Sequence, residues 1–136
     1  MAEAELIDTS AIHALNLTFD PYYGRARAHS IAFSGRLHTT APALEESFTL
    51  IRRRAGYDTA SRVVDSLRRS DFVTIHFIDR DFDADIWKKL ETLRGIPLSY
   101  VDASLIVLGE RLRIRRIFTF DEDFREAGLE VVPGDA

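Results

Sequence analysis

A chain of 136 residues can bury one hydrophobic core without covalent crosslinks, and we expect residues 1–136 to form a single domain. The absence of cysteine excludes a disulfide framework and any metal site built on thiolates. The formal charge of −4, from 18 basic and 22 acidic residues, gives no overall attraction for nucleic acid, so contact with phosphates would depend on local clusters of arginine.

The first residues of the chain and its apolar segments bear on where the protein acts. Met1 to Glu5 include two glutamates and no basic residue, unlike a secretory or mitochondrial leader. No apolar run approaches the ~18 residues that are needed to span a membrane. We therefore expect a cytoplasmic protein with no membrane segment.

Strand and helix patterns alternate along the chain. Short runs rich in β-branched and aromatic residues predict strands, and apolar residues at helical spacing predict helices. In chain order the pattern predicts a strand at 5–7, a helix at 11–15, a turn or helix start at 20–24 with a helix to about 33, a strand at 36–40, helices at 42–54 and 59–69, a strand at 72–78, helices at 83–93 and 101–111, and strands at 117–120 and 130–132. This alternation predicts an α/β fold whose mostly parallel sheet is covered on both faces.

Two acidic residues follow predicted strands, and ligand sites in such folds lie beyond the carboxyl ends of the strands. Asp8 follows the first strand and Asp121 the fourth. Either residue alone is also typical of a helix cap or a helix start. Asp102 is embedded in the apolar run 98–108, where capping a helix is again an alternative. Carboxylates that converge repel one another unless a hard cation such as Mg²⁺ neutralises them, so a cluster of these residues would be a candidate metal site.

Arginines form three blocks, at residues 52–54, 68–69 and 111–116. Each block, taken alone, is more typical of a solvated helix end than of a binding surface. The first block ends the helix predicted at 42–54 and is the better placed to contact a polyanion. The third precedes the strand that leads to Asp121, and we expect it at the opposite end of that strand.

Four motifs, in order, resemble those of PIN domains, in particular the VapC-like toxins of bacterial and archaeal toxin–antitoxin pairs. Residues 7–10, Ile-Asp-Thr-Ser, resemble the family's opening. Residues 44–56 resemble the helix that carries its glutamate, and residues 99–104 resemble its third acidic motif. Residues 117–124 contain its Thr-x-Asp-x-x-Phe pattern, and 127–133 resemble its usual close. The resemblance therefore covers nearly the whole chain.

The resemblance implies a three-layer α/β/α sandwich and a metal-dependent endoribonuclease that hydrolyses RNA phosphodiester bonds. Asp8, Asp102 and Asp121 would hold Mg²⁺, or Mn²⁺ in its place, and Glu46 would complete the catalytic set. The protein would be the toxin of a toxin–antitoxin pair, with a small antitoxin as its partner, and would form a homodimer. A housekeeping PIN nuclease and a catalytically idle PIN-fold binding module are the alternatives.

The choice between Glu45 and Glu46 rests on the resemblance. A helical wheel places Glu45 beside the apolar face of the helix and Glu46 nearly opposite that face, so the wheel gives Glu46 no support. The family's spacing favours Glu46. Ser10 and Thr119 are candidates for hydrogen bonds that orient the carboxylates, and turn formation is their alternative role. Asp123 is more typical of a helix start than of a ligand to a second metal.

Overall fold

Five strands lie side by side at the centre of the molecule, in the order β3-β2-β1-β4-β5. The structure is a computed structural model that describes residues 3–134. Its strands are β1 (Ala4–Ile7), β2 (Arg36–Thr40), β3 (Val73–His76), β4 (Arg116–Phe118) and β5 (Glu130–Val132). Each neighbouring pair is parallel. The predicted α/β class with a parallel sheet is therefore confirmed.

The helices occupy the connections between the strands. They are α1 (Thr9–Asn16), α2 (Tyr23–Ala32), α3 (Ala41–Ala55), α4 (Tyr57–Arg69), α5 (Arg80–Thr92), α6 (Tyr100–Leu112) and α7 (Asp123–Glu126). Thr40 caps α3 by accepting a hydrogen bond from the Ala43 N–H, and Pro42 lies in the first turn as predicted. Gly56 has a φ of 90°, which lets the chain turn directly from α3 into α4.

Helices cover both faces of the sheet. Successive strand residues point to opposite faces, so Leu6 and Ile117 join one buried cluster, while Ile7 and Phe118 join the other. The first cluster packs on α5 and α6, and the second on α1, α2 and α4. α3 contributes to both clusters. Three layers result, as the sequence predicted.

The order in which strands are added to the sheet changes sides at β1. β2 and β3 lie on one side of β1, and β4 and β5 lie on the other. The carboxyl ends of β1 and β4 therefore flank the crevice where ligands bind in open parallel sheets. Asp8 directly follows β1, and Asp121 lies three residues beyond β4.

Two predicted strands are too long at their carboxyl ends. β3 stops at His76, which pairs with Thr40 at the end of β2, so residues 77–78 have no neighbouring strand. β4 stops at Phe118 because the N–H of Phe120 bonds to the Ser10 hydroxyl rather than to a strand.

Three helices begin two or three residues earlier than the sequence predicted, and α3 and α6 begin one residue earlier. α5 begins at Arg80 because Asp79 caps it, accepting the Phe82 N–H at 2.8 Å. α1 begins at Thr9 because Asp8 is its cap, and α4 begins at Tyr57. Within residues 3–134, no helix combines the length and the apolar character needed to cross a membrane.

Candidate active site

Asp8 is a buried carboxylate at the carboxyl end of β1, with only 4% of its surface exposed. Its Oδ1 accepts hydrogen bonds from the Ser10 hydroxyl at 2.8 Å and from the Ala11 N–H at 3.1 Å. Its Oδ2 accepts the Thr119 hydroxyl at 2.6 Å. Asp8 therefore caps α1, which was the alternative role suggested by the sequence. The same hydrogen bonds fix its carboxylate in the crevice.

Burial raises the pKa of Asp8 from 3.8 to about 6. Its three hydrogen bonds favour the charged form and limit the rise, whereas the nearby negative charge of Asp102 adds to it. An ionised Asp8 is thus held in place without any compensating positive charge. This is the condition in which a bound cation would be most stabilising.

Ser10 and Thr119 join the ends of β1 and β4. Besides bonding Asp8, the Ser10 hydroxyl accepts the Phe120 N–H at 2.9 Å, and the Thr119 hydroxyl accepts the Asp121 N–H at 3.0 Å. Each hydroxyl therefore orients one oxygen of Asp8 and fixes the backbone leading to Asp121. The two side chains have the hydrogen-bonding role that the sequence suggested for them.

Asp102 lies at the third position of α6. Ser99, not Asp102, is the cap: the Ser99 hydroxyl accepts the Asp102 N–H at 3.0 Å, and Asp102 Oδ2 accepts the Ser99 N–H at 2.9 Å. Burial raises the pKa of Asp102, the bonds from Ser99 oppose the rise, and repulsion from Asp121 and Glu46 adds to it. Asp102 is therefore within electrostatic reach of the other three acidic residues.

Asp121 is partly buried in the loop between β4 and α7. Its Oδ1 accepts the Asp123 N–H at 2.9 Å, so the backbone of Asp123 orients it. Asp123 is the first residue of α7, in agreement with the helix-start interpretation.

The two glutamates of α3 face different surroundings. Both are exposed, but Glu46 contributes to the repulsion at Asp102, whereas Glu45 lines a groove with Phe48, Val64 and Phe77 on the side of α4 and β3. The helical wheel shows only the main apolar stripe of α3, whereas α3 packs against α4 on one side and against α1 and α6 on another. A position remote from the main apolar stripe can still face the site.

The four carboxylates form an oxygen-only donor set, which is the chemistry that a hard divalent cation prefers. Within residues 3–134, none of Asp8, Glu46, Asp102 and Asp121 forms an ion pair with a basic side chain. As the described side chains stand, no three acidic or histidine residues are arranged to hold one ion together. The oxygen donors and their uncompensated negative charge fit a divalent metal ion. The carboxylate side chains would have to move for three of them to coordinate the same ion.

The arginine blocks lie at different distances from this crevice. Arg53 follows Glu46 by seven residues, two helical turns, and so shares its face of α3. Arg54 Nη1 lies 3.4 Å from His13 Nε2 on α1. Arg116 begins β4, at the opposite edge of the sheet, where it is bonded to Glu3 at 3.1 Å and to other acidic residues. The expected remoteness of the third block is thereby confirmed for Arg116.

The resemblance to PIN domains implies that the chain binds RNA, and the double substitution Arg53→Gln, Arg54→Gln should weaken that binding several-fold. Loss of two contacts to a single strand should also lower the slope of log K against log salt by about 1.4. The matched control is Arg113→Gln, Arg115→Gln, which removes the same charge at the far edge and spares Arg116. Equal losses from both pairs in a salt titration would show that the RNA does not pass along α3.

The PIN domain family model matches residues 6–129, and the chain therefore belongs to the PIN-domain family. Among its relatives is the 23S rRNA-specific endonuclease VapC20 of Mycobacterium tuberculosis, which is 29% identical over 128 residues, covering 93% of this chain and 97% of VapC20. The crystal structure of VapC20, described as a sarcin–ricin loop cleaving toxin, superposes with a TM-score of 0.86 at 27% identity, covering 91% of this chain and 95% of that one.

A second solved structure, FitAcB from Neisseria gonorrhoeae, has a TM-score of 0.64 at 17% identity and covers 93% of this chain and 94% of that one, which supports the fold alone. The predicted family, VapC-like PIN domains, and the predicted α/β/α fold are confirmed. PIN nucleases generally use divalent metal ions. The relative VapC20 is an endoribonuclease toxin, and the expectation of a PIN-type ribonuclease agrees with it.

Proposed function

We propose that this protein is a Mg²⁺-dependent endoribonuclease, that it is the toxin of a toxin–antitoxin pair, and that ribosomal RNA of the 23S class is its substrate. The observation that carries the proposal is the group of four carboxylates without basic partners at the crevice between β1 and β4. The same crevice lies in a chain similar over nearly its full length to a 23S rRNA-specific endonuclease. Mn²⁺ is the alternative ion.

The acidic residues have two roles in the proposal. Asp8, Asp102 and Asp121 would hold the metal, which when bound polarises the phosphate and lowers the pKa of water. Ser10 and Thr119 orient Asp8 by hydrogen bonds to its two oxygens. Ser99 and the Asp123 N–H orient the other two aspartates.

The side chain of Glu46 makes no hydrogen bond within the described part of the chain and is exposed. Its carboxylate is therefore free to accept the proton of the attacking water. The negative charge of Glu46 raises the pKa of Asp102, which supports a position of Glu46 close to the proposed metal ligands.

The partners follow from the same proposal. A toxin requires an antitoxin, which we expect to be a small protein whose reading frame adjoins the gene. We propose a homodimer by resemblance to the family, one nuclease domain over residues 1–136, and action in the cytoplasm, where ribosomal RNA is found.

Purified protein incubated with intact ribosomes and with total RNA tests the proposal. We expect discrete new ends in 23S rRNA with Mg²⁺ present and none with a chelator, mapped by sequencing of the fragment ends. Cleavage that persists in the chelator, or no cleavage of any RNA in Mg²⁺ or Mn²⁺, would refute it.

A further inference from the structure

An aromatic stack with an arginine beside it adjoins the carboxylates. The rings of Tyr22 and Phe120 are nearly parallel, with an angle of 8° and centroids 4.6 Å apart. The guanidinium carbon of Arg25 lies 5.8 Å from the Tyr22 centroid and 5.4 Å from that of Phe120. Tyr22 is 43% exposed, so this stack is not simply part of the core.

The stack lines a small cavity next to the crevice. The cavity has a volume of about 180 Å³ and is bounded by Tyr22, Arg25, Phe120, Thr119 and Glu122 among others. Thr119 is the residue that bonds Asp8, and Phe120 stands between it and Asp121 in the chain. The acid in the cavity wall is already compensated, because Arg125 Nε lies 2.8 Å from the carboxylate of Glu122.

The backbone at both aromatic residues is tied to α1. The Phe120 N–H donates to the Ser10 hydroxyl at 2.9 Å. The Tyr22 N–H donates to Asp20 Oδ1 at 2.7 Å, and Asp20 Oδ2 lies 2.5 Å from His13 Nδ1. Arg25 in turn donates to the Gly134 carbonyl. The backbone bonds and the mutual stacking of the two rings order this surface before any ligand arrives, which reduces the entropy lost on binding.

The size and the lining of the cavity suit a small aromatic ring. Its volume is below the ~300 Å³ typical of sites for drug-sized ligands. Aromatic faces combined with a guanidinium are the groups on which unpaired nucleobases stack. A strand whose phosphate lies at the carboxylates would carry its neighbouring base within reach of Phe120.

We propose that Tyr22, Phe120 and Arg25 form a stacking platform for an unpaired RNA base next to the scissile phosphate. This inference rests on the proposed function for its ligand. The start of α2 and the loop after β4 would then fix the register of the RNA strand.

The test uses single-stranded RNA oligonucleotides in which 2-aminopurine replaces one base, scanned along the strand. They are mixed with Glu46→Gln protein, so that cleavage does not interfere, and with the same protein carrying Tyr22→Leu. We expect fluorescence quenching at one position, its loss with Tyr22→Leu, and its retention with Tyr22→Phe. Arg25→Gln is the second variant, with the same expected loss, should Tyr22→Leu fail to fold by circular dichroism.

Cleavage separates a binding role from a structural one. With Glu46 intact, Tyr22→Leu should lower kcat/KM about tenfold on RNA that carries the base, and should have no effect on RNA that is abasic at that position. Quenching that is absent at every position, or unchanged in both variants, overturns the platform whether or not RNA is cleaved. Quenching that depends on Tyr22 in a protein that cleaves no RNA supports the platform and refutes the proposed nuclease.

Discussion

Replacing Glu46 with glutamine is expected to reduce RNA cleavage by about 100-fold or more, the range lost when a group that transfers a proton is removed. Glutamine keeps the shape of the side chain and removes its charge. The side chain of Glu46 is exposed and makes no hydrogen bond within the described residues, so the free energy of unfolding should change by no more than about 0.5 kcal/mol. Initial rates on end-labelled RNA and a thermal melt measure the two quantities.

Glu45→Gln is the matched control. It makes the same chemical change one residue earlier on the same helix, but Glu45 lines the groove between α3, α4 and β3 rather than facing Asp102. Most of the activity should therefore remain. Full activity in Glu46→Gln together with loss in Glu45→Gln would show that the catalytic set is not the one assembled around Asp102.

The sequence predicted the sheet and its helices because their signals are local. Short runs of apolar residues, Pro42 in the first turn of α3 and Gly56 at its end can be recognised from the local sequence alone. The ends of strands are harder to predict, because they depend on where the neighbouring strand ends. Phe77 continues a β-like pattern, yet it lies outside the sheet because β2 has already ended opposite His76.

The site could be predicted only in part. Asp8 and Asp121 were each predicted to follow a strand, but only the observed pairing of β1 with β4 shows that the two strand ends are neighbours. The orientation of Glu46 does not follow from the sequence either, because a wheel with one apolar face cannot describe a helix that packs on two sides. The stack of Tyr22 on Phe120 was missed altogether: the two residues are 98 positions apart, and no motif links them.

Burial of Asp8 has a cost that should be measurable without any RNA. A carboxyl group with a pKa of about 6 in the folded protein and 3.8 in the unfolded chain holds its proton more tightly when folded. Between these two values the unfolded chain binds fewer protons, so stability falls as the pH rises. The loss is complete above about pH 6 and amounts to roughly 3 kcal/mol.

We therefore expect Asp8→Asn to melt at a higher temperature than the wild type at pH 7 in a chelator. Asparagine stays neutral, but it cannot accept hydrogen bonds from both Ser10 and Thr119, which offsets part of the gain. A net gain of about 1–2 kcal/mol, or several degrees, should remain, and it should disappear as the pH is lowered towards 4. Thermal melts from pH 4 to pH 8 measure this dependence.

Addition of Mg²⁺ should reverse the order of the two proteins. An ion that binds only the folded state stabilises the wild type, and Asp8→Asn removes a charge on which that binding depends. The matched control is Asp79→Asn, since Asp79 also caps a helix, α5, but lies outside the crevice. Asparagine caps a helix as well as aspartate does, so this variant should follow the wild type at every pH and keep its response to Mg²⁺. An Asp8→Asn protein that melts with the wild type in the chelator, and gains as much from Mg²⁺, would mean that Asp8 neither carries an uncompensated charge nor helps to hold the ion.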